Sequence, residues 1–220
     1  MNASSASDKN SIHPPHINYR EGGFEILACG NFEMSRKGEA RVQIKPSHQS
    51  FEITGDWDLS FPPGWGAPAT AKFSKLISWT QSDDPGIKFF SGTGTYKKQF
   101  SYKPSAAAAK DESIYLDLGQ ASKVVEAWLN GKLLGISWTL PHRFNVSGLL
   151  KSGLNELRIE VINTWSNRII GDINSEKKYT YTNLNVRGSR ELLWTETPLT
   201  ISGLLGPVRI ETVKKIQVVR

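Results

Sequence analysis

The chain has 220 residues, 38% of them hydrophobic and 10% aromatic, enough for one generous domain, or one domain and a fragment of another. Its net charge of +6 is dispersed over pairs such as Lys97-Lys98, Lys177-Lys178 and Lys214-Lys215, without the basic face or motif of a nucleic-acid binder; at most it favours an acidic polysaccharide through long-range attraction. The single cysteine, Cys29, forbids an intrachain disulfide, and no apolar run of about 18 residues offers a helical membrane span.

Residues 1–18, rich in Ser, Asn, Ala, His and Pro, read as a disordered tail, and residues 1–15 lack the apolar centre of a secretory signal. Strand-like stretches follow at 24–28 and 40–44. Residues 19–50 read as a short β segment, either a hairpin or, the favoured reading, the remnant of a preceding domain, closed by a linker at 46–50. A sandwich is expected over residues 51–220. The cluster Pro62-Pro63-Gly64-Trp65-Gly66 must be a loop. The i, i+3, i+4 spacing of Phe73, Leu76 and Ile77 predicts one or two helical turns before Trp79.

Strands are predicted at 95–102, 113–118, 123–129, 132–136, 142–146, 156–163 and 207–219, with a loop at 106–109. The alternation is clearest in Ile114-Tyr-Leu-Asp-Leu118, Leu157-Arg-Ile-Glu-Val161 and Val208-Arg-Ile-Glu211, where every second residue is apolar. Asn130-Gly131 marks a hairpin, because a type I′ turn needs positive φ at both central residues. Gly153-Leu154-Asn155 marks a second turn. Strands without long helices between them cannot make parallel crossovers. The prediction is an all-β protein, an antiparallel two-sheet β-sandwich of jelly-roll type.

A further set of motifs runs from Gly55-Asp-Trp57 through Leu76-Ile-Ser-Trp-Thr80, Ser91-Gly-Thr-Gly-Thr-Tyr96 and Leu116-Asp-Leu-Gly119. It continues through Asn130-Gly131-Lys132 with Leu134-Gly135, and closes on Asn163 to Asp172 and on Ser202-Gly-Leu-Leu-Gly-Pro-Val208. In this order the segments resemble the C-terminal β-sandwich domain of glycoside hydrolase family 106 α-L-rhamnosidases. The hairpin and the Tyr96 strand alone also fit the sugar-binding domains of family 2 glycosidases; the two closing motifs sharpen the match. The resemblance implies a galactose-binding-domain-like fold and a carbohydrate-degrading context. It also implies a periplasmic or extracellular setting, although no signal peptide is visible. The family's catalytic barrel has no counterpart here, so the expected role is accessory and the chain shows no catalytic centre of its own.

Glycoside hydrolysis usually needs two carboxyl groups about 5 to 9.5 Å apart. Asp117, Glu126, Glu160, Asp172, Glu191 and Glu196 are present, but no pair is singled out, and Asp117 and Glu160 are expected to face solvent. Of the four histidines, His13, His16, His48 and His142, two fall in the expected tail, giving little basis for a metal or Ser-His site. No cofactor is expected. A structural calcium ion would draw on loop carbonyls and an Asp such as Asp83, Asp84 or Asp172, though no Asp-rich loop is present.

Sugar recognition pairs an aromatic face with planar polar groups. Of seven tryptophans, Trp57 and Trp128 lie in strands and are expected in the core, whereas Trp65, Trp79, Trp138, Trp165 and Trp194 lie in or beside loops. The favoured constellation is Trp165, Asn167, Arg168 and Asp172, where a loop leaves the 156–163 strand, with Trp138 as a further candidate. Arg168 and Asn167 would donate to hydroxyls or a carboxylate, and Asp172 would accept. The competing reading is that Arg168 pairs with Asp172 and pins the loop, or docks on a catalytic domain. The implied partners are a rhamnose-containing glycan and a catalytic glycosidase domain. A free-standing carbohydrate-binding module for rhamnose-containing or pectic glycans is the alternative.

Overall fold

The computed structural model describes residues 48–104, 112–176, 180–182 and 194–214, with backbone strands at 2–5, 16–20, 23–27, 32–35, 42–44 and 217–219. Most of the expected tail at 1–18, and the expected loop at 106–109, lie outside the described residues. The N-terminal strands are β1 (Asn2–Ser5), β2 (His16–Arg20), β3 (Gly23–Leu27), β4 (Phe32–Ser35) and β5 (Val42–Ile44). They form two small antiparallel sheets, β1-β4-β5 and, with the C-terminal β18 (Gln217–Val219), β18-β3-β2.

The main body follows. Its elements are β6 (His48–Glu52), β7 (Trp57–Ser60), β8 (Thr70–Phe73), α1 (Pro85–Lys88), β9 (Thr93–Tyr102), β10 (Glu112–Asp117), β11 (Gln120–Ala121), β12 (Val124–Leu129) and β13 (Lys132–Ser137). Then come β14 (Arg143–Asn145), β15 (Gly153–Ile162), α2 (Ser166–Ile173), β16 (Leu204–Gly206) and β17 (Arg209–Lys214). One antiparallel sheet has six strands in the order β13-β12-β15-β9-β7-β8, another has four in the order β14-β10-β17-β6, and β11 pairs with β16. The fold is therefore all-β and antiparallel, as the alternation predicts. The expected linker at 46–50 is mostly β6, which pairs along β17 from Glu52↔Arg209 to His48↔Val213.

Alternation decides what is buried. Val125, Ala127 and Leu129 of β12, Leu157, Ile159 and Val161 of β15, and Tyr96 of β9 turn inward from the six-stranded sheet. They join Leu116, Phe144 and Ile210 of the four-stranded sheet in one apolar cluster, which is what makes the two sheets a sandwich. Asn130 and Gly131 both have positive φ, 53° and 80°, as the hairpin requires. Asn130 also braces the core's edge: its Nδ2 donates to Leu149 O and to Asn155 Oδ1, and its Oδ1 accepts from Glu156 N.

Four readings are corrected. The helical turns expected over 73–77 are absent: Phe73 ends β8, and a short 3-10 turn, Trp79–Gln81, follows instead. The apolar spacing there arises from packing, since Leu76 and Ile77 lie partly buried against the core. Trp128 is on the outer face of β12, half-buried, with the Arg158 guanidinium 3.6 Å above its ring. Trp79, expected beside a loop with a binding role in prospect, is fully buried. Asp117, expected in solvent, is also buried, for the reason given below.

Candidate functional site

β15 leaves the six-stranded sheet at Ile162, opposite Thr93 of β9. Asn163 fixes the exit: its Nδ2 donates to Phe90 O at 2.8 Å, and its Oδ1 accepts from Gly92 N at 2.8 Å. The segment beyond is helix α2 rather than the expected loop. Its first turn has no side-chain cap, because Trp165 occupies the N-cap position. Gly171 lets the helix pack closely, since a Cβ there would lie 2.6 Å from Phe89 Cβ.

The helix turns the polar members of the constellation inward. Asn167, Arg168 and Asp172 are 1%, 5% and 1% exposed. Asn167 meets the incoming 200–202 segment with both ends of its amide: Nδ2 donates to Thr200 O at 2.7 Å, and Oδ1 accepts from Thr200 N at 2.8 Å. Asp172 Oδ2 accepts from Tyr181 N, Thr182 N and Thr182 Oγ1 at 2.6–2.8 Å. Arg168 Nε lies 3.3 Å from Asp172 Oδ1, one helical turn away, and the guanidinium lies 4.7 Å from the Tyr181 ring centre. Burial pulls the Arg168 guanidinium below its ordinary range, and the charge of Asp172 opposes the pull.

These three side chains therefore clip segments 180–182 and 200–202 to α2. Asp172→Ala leaves three donors unanswered and is expected to cost about 2 kcal/mol. Urea unfolding would measure the cost, and faster hydrogen exchange at Tyr181 and Thr182 would locate it.

What faces outward is aromatic. Trp165 is 52% exposed, and its ring centre stands 5.4 Å from that of Trp65, at 65°. Trp65 comes from the Pro62–Gly66 loop after β7, and nothing in the sequence ties it to Trp165 across a hundred residues. Trp138 is more exposed still, at 75%, but follows β13, a separate strand at the same end of the sheet. The structure thus brings Asn167, Arg168 and Asp172 onto one short helix with Trp165 at its N-cap, and leaves Trp138 just after a separate strand. Trp65 and Tyr181 are the neighbours that sequence reading does not attach to this place. A tryptophan in a Pro/Gly loop is the available signal for Trp65, but with no periodicity to give its direction.

The carboxylates are organised elsewhere. Asp117, Arg143 and Glu211 meet on neighbouring strands β10, β14 and β17. Arg143 donates to Asp117 Oδ2 from Nε at 3.1 Å and from Nη2 at 2.9 Å, and to Glu211 Oε2 from Nη2 at 2.7 Å. Asp117 is buried because its partner is there, and its other oxygen accepts from Gly119 N at 2.8 Å. Asp84, a candidate calcium ligand, caps α1 by accepting from Gly86 N and Ile87 N. Among the described residues no three His, Cys, Asp or Glu side chains converge on a cation-sized site.

No protein-family model matches the chain. A protein of Formosa agariphila, provisionally named as a beta-glucuronidase, is 33% identical over 186 residues, covering 76% of this chain and 16% of that protein. A solved rhamnosidase from Novosphingobium sp. PP1Y superposes with a TM-score of 0.67 at 24% identity, covering 96% of this chain and 24% of its own. A beta-D-glucuronidase from Dictyoglomus thermophilum reaches 0.51 at 18% identity, with 76% and 28% covered. The chain spans less than a third of each. Fold and similarity together define its class: a β-sandwich unit like those built into glycoside hydrolases. Within that class it is similar to one segment of a much longer Formosa protein.

Proposed function

We propose that this chain is a non-catalytic accessory domain of an α-L-rhamnosidase-like glycoside hydrolase. It is a galactose-binding-like jelly roll over residues 51–220 that supports a catalytic barrel and contacts carbohydrate at its loop end. The domain plan read from the sequence, a tail at 1–18 and a β remnant at 19–50, goes with this reading. The observation that carries it is the division of labour on α2. Asn167, Arg168 and Asp172 direct their polar groups into the fold, while Trp165, beside Trp65, presents a rigid apolar ring outward. Such a ring suits the C–H face of a pyranose. The likeness to the Novosphingobium rhamnosidase over nearly the whole chain supports the choice of enzyme type. The exposed ring pair also suits the alternative, a free-standing carbohydrate-binding module.

The test is an amide NMR titration of the whole chain with L-rhamnose and rhamnose-containing pectic oligosaccharides. Saturable shifts confined to residues 62–66 and 163–166 are expected. Trp165→Ala should weaken the response about tenfold, the value of one aromatic contact. No response to any sugar would remove the carbohydrate contact and leave a supporting role alone. Hydrolysis of a rhamnoside by the purified chain, abolished by one Glu or Asp substitution, would overturn the non-catalytic reading.

A further inference from the structure

The outer face of the six-stranded sheet carries a feature that the loop end does not explain. Strand register sets Lys72, Asp58, Lys97, Arg158 and Trp128 side by side on five successive strands. Lys72 and Asp58 pair loosely at 3.7 Å, both largely exposed. Lys97 then stands directly opposite Arg158, and like charges so placed across a ladder are destabilising. Arg158 finds relief by stacking on Trp128 and by lying 4.0 Å from Glu160. Lys97 has no ion-pair partner among the described residues. An open groove of about 530 Å³ lies beside it, lined by Asp58, Leu59, Ser60, Thr70, Ala71, Lys72 and Lys97.

We propose that this groove binds the anionic group of an acidic oligosaccharide. The carboxylate or sulfate would sit on Lys97 beside the flat guanidinium of Arg158, with Ser60 and Thr70 hydroxyls meeting sugar hydroxyls. An anion there removes the repulsion of the cation pair, and the guanidinium offers the planar fork that carboxylates and sulfates accept. Hydroxyl lining favours a glycan over a nucleic acid. The one aromatic face in the row, that of Trp128, is covered by Arg158 and offers no base a stacking surface. The sugar half of this inference rests on the glycoside-hydrolase reading above, whereas the anion half rests on the charge row.

The experiment is calorimetric titration of the whole chain with a tetragalacturonide, a sulfated galactan oligomer and neutral maltotetraose, at low salt and at about 0.2 M. The two anionic arms separate a carboxylate from a sulfate source. At least one should bind, maltotetraose should not, and salt should weaken the binding. Lys97→Glu should reduce affinity about tenfold or more, as expected for loss of one charge-assisted contact and its replacement by repulsion. Lys151→Glu, an equal charge change at an exposed site just before β15, should leave it within about twofold. Equal binding of the neutral sugar, equal loss in Lys151→Glu, an oligonucleotide that binds as tightly, or no binding at all would overturn the proposal. The Trp165 site is tested separately, by the rhamnose titration and its Trp165→Ala variant.

Discussion

Tyr96→Phe is expected to lower the unfolding free energy by about 3 kcal/mol, although it removes a single oxygen atom. The Tyr96 hydroxyl accepts from Trp79 Nε1 at 2.6 Å and from Leu204 N at 3.0 Å. Both rings are 0% exposed and stack at 10°. Removing the oxygen orphans two buried donors, each costing about 1–3 kcal/mol. Water cannot easily replace it. Gly203, at φ +90°, fits so tightly that a Cβ would stand 2.6 Å from Trp79 Nε1 and 2.8 Å from the Tyr96 oxygen. This contact joins the 91–96 and 202–208 segments: one supplies the hydroxyl, the other the amide and the space. A urea titration that shows a loss below about 1 kcal/mol would refute it. Burial also raises the Tyr96 phenol well above its ordinary value of 10.0. The unfolded chain therefore releases this proton first, and the associated stability is complete below pH 10 and falls as pH rises beyond it. Tyr96→Phe should flatten that alkaline decline.

Period-two alternation makes the strands legible because one face of each is buried. Leu157, Ile159 and Val161 show it without interruption. It identifies which residues share a face, but not whether the other face is open. Asp117 therefore reads as solvated, although Arg143 covers it from the neighbouring strand; the pairing of β10 with β14 is a long-range fact absent from the local pattern. Trp128 misleads for the opposite reason. The alternation of Val125, Ala127 and Leu129 already places it outside, and the size of its ring is a weaker guide than the period. Helix α2 is hidden because its start lacks a capping side chain and its interior holds Gly171, both of which look like loop. Trp165, Asn167, Arg168 and Asp172 are nonetheless recognisable as a set by their resemblance to a known motif. Their division into three inward clips and one outward ring is not given by spacing, because a helical period would put positions 165, 168 and 172 on one face; Trp165 stands at the N-cap, outside the helix, and turns outward there.

Arg143→Met is expected to cost about 3–5 kcal/mol, the range for breaking a buried ion cluster from one side. The side chains of Arg143, Asp117 and Glu211 are only 11%, 4% and 9% exposed. Methionine fills a similar volume without the fork, so packing loss is small and the cost comes from two carboxylates left facing each other in a dry place. A variant that also carries Asp117→Asn and Glu211→Gln should recover more than half of the loss. The neutral amides relieve the repulsion, and the side-chain oxygen that remains at position 117 can still accept from Gly119 N. Chemical denaturation of the single and triple variants measures both numbers. A single variant as stable as the parent would show that the cluster is solvated in solution. A triple variant no better than the single would show that Arg143 acts through packing, including its contact with the Tyr115 ring at 5.9 Å, and not through charge. In either form the cluster joins β14, β10 and β17, the strands of the sheet opposite the one that carries α2 and the cation row. A loss there would reach the surfaces proposed to meet sugar only through the core, so any affinity measured in the titrations above should stay within about twofold where the single variant is folded.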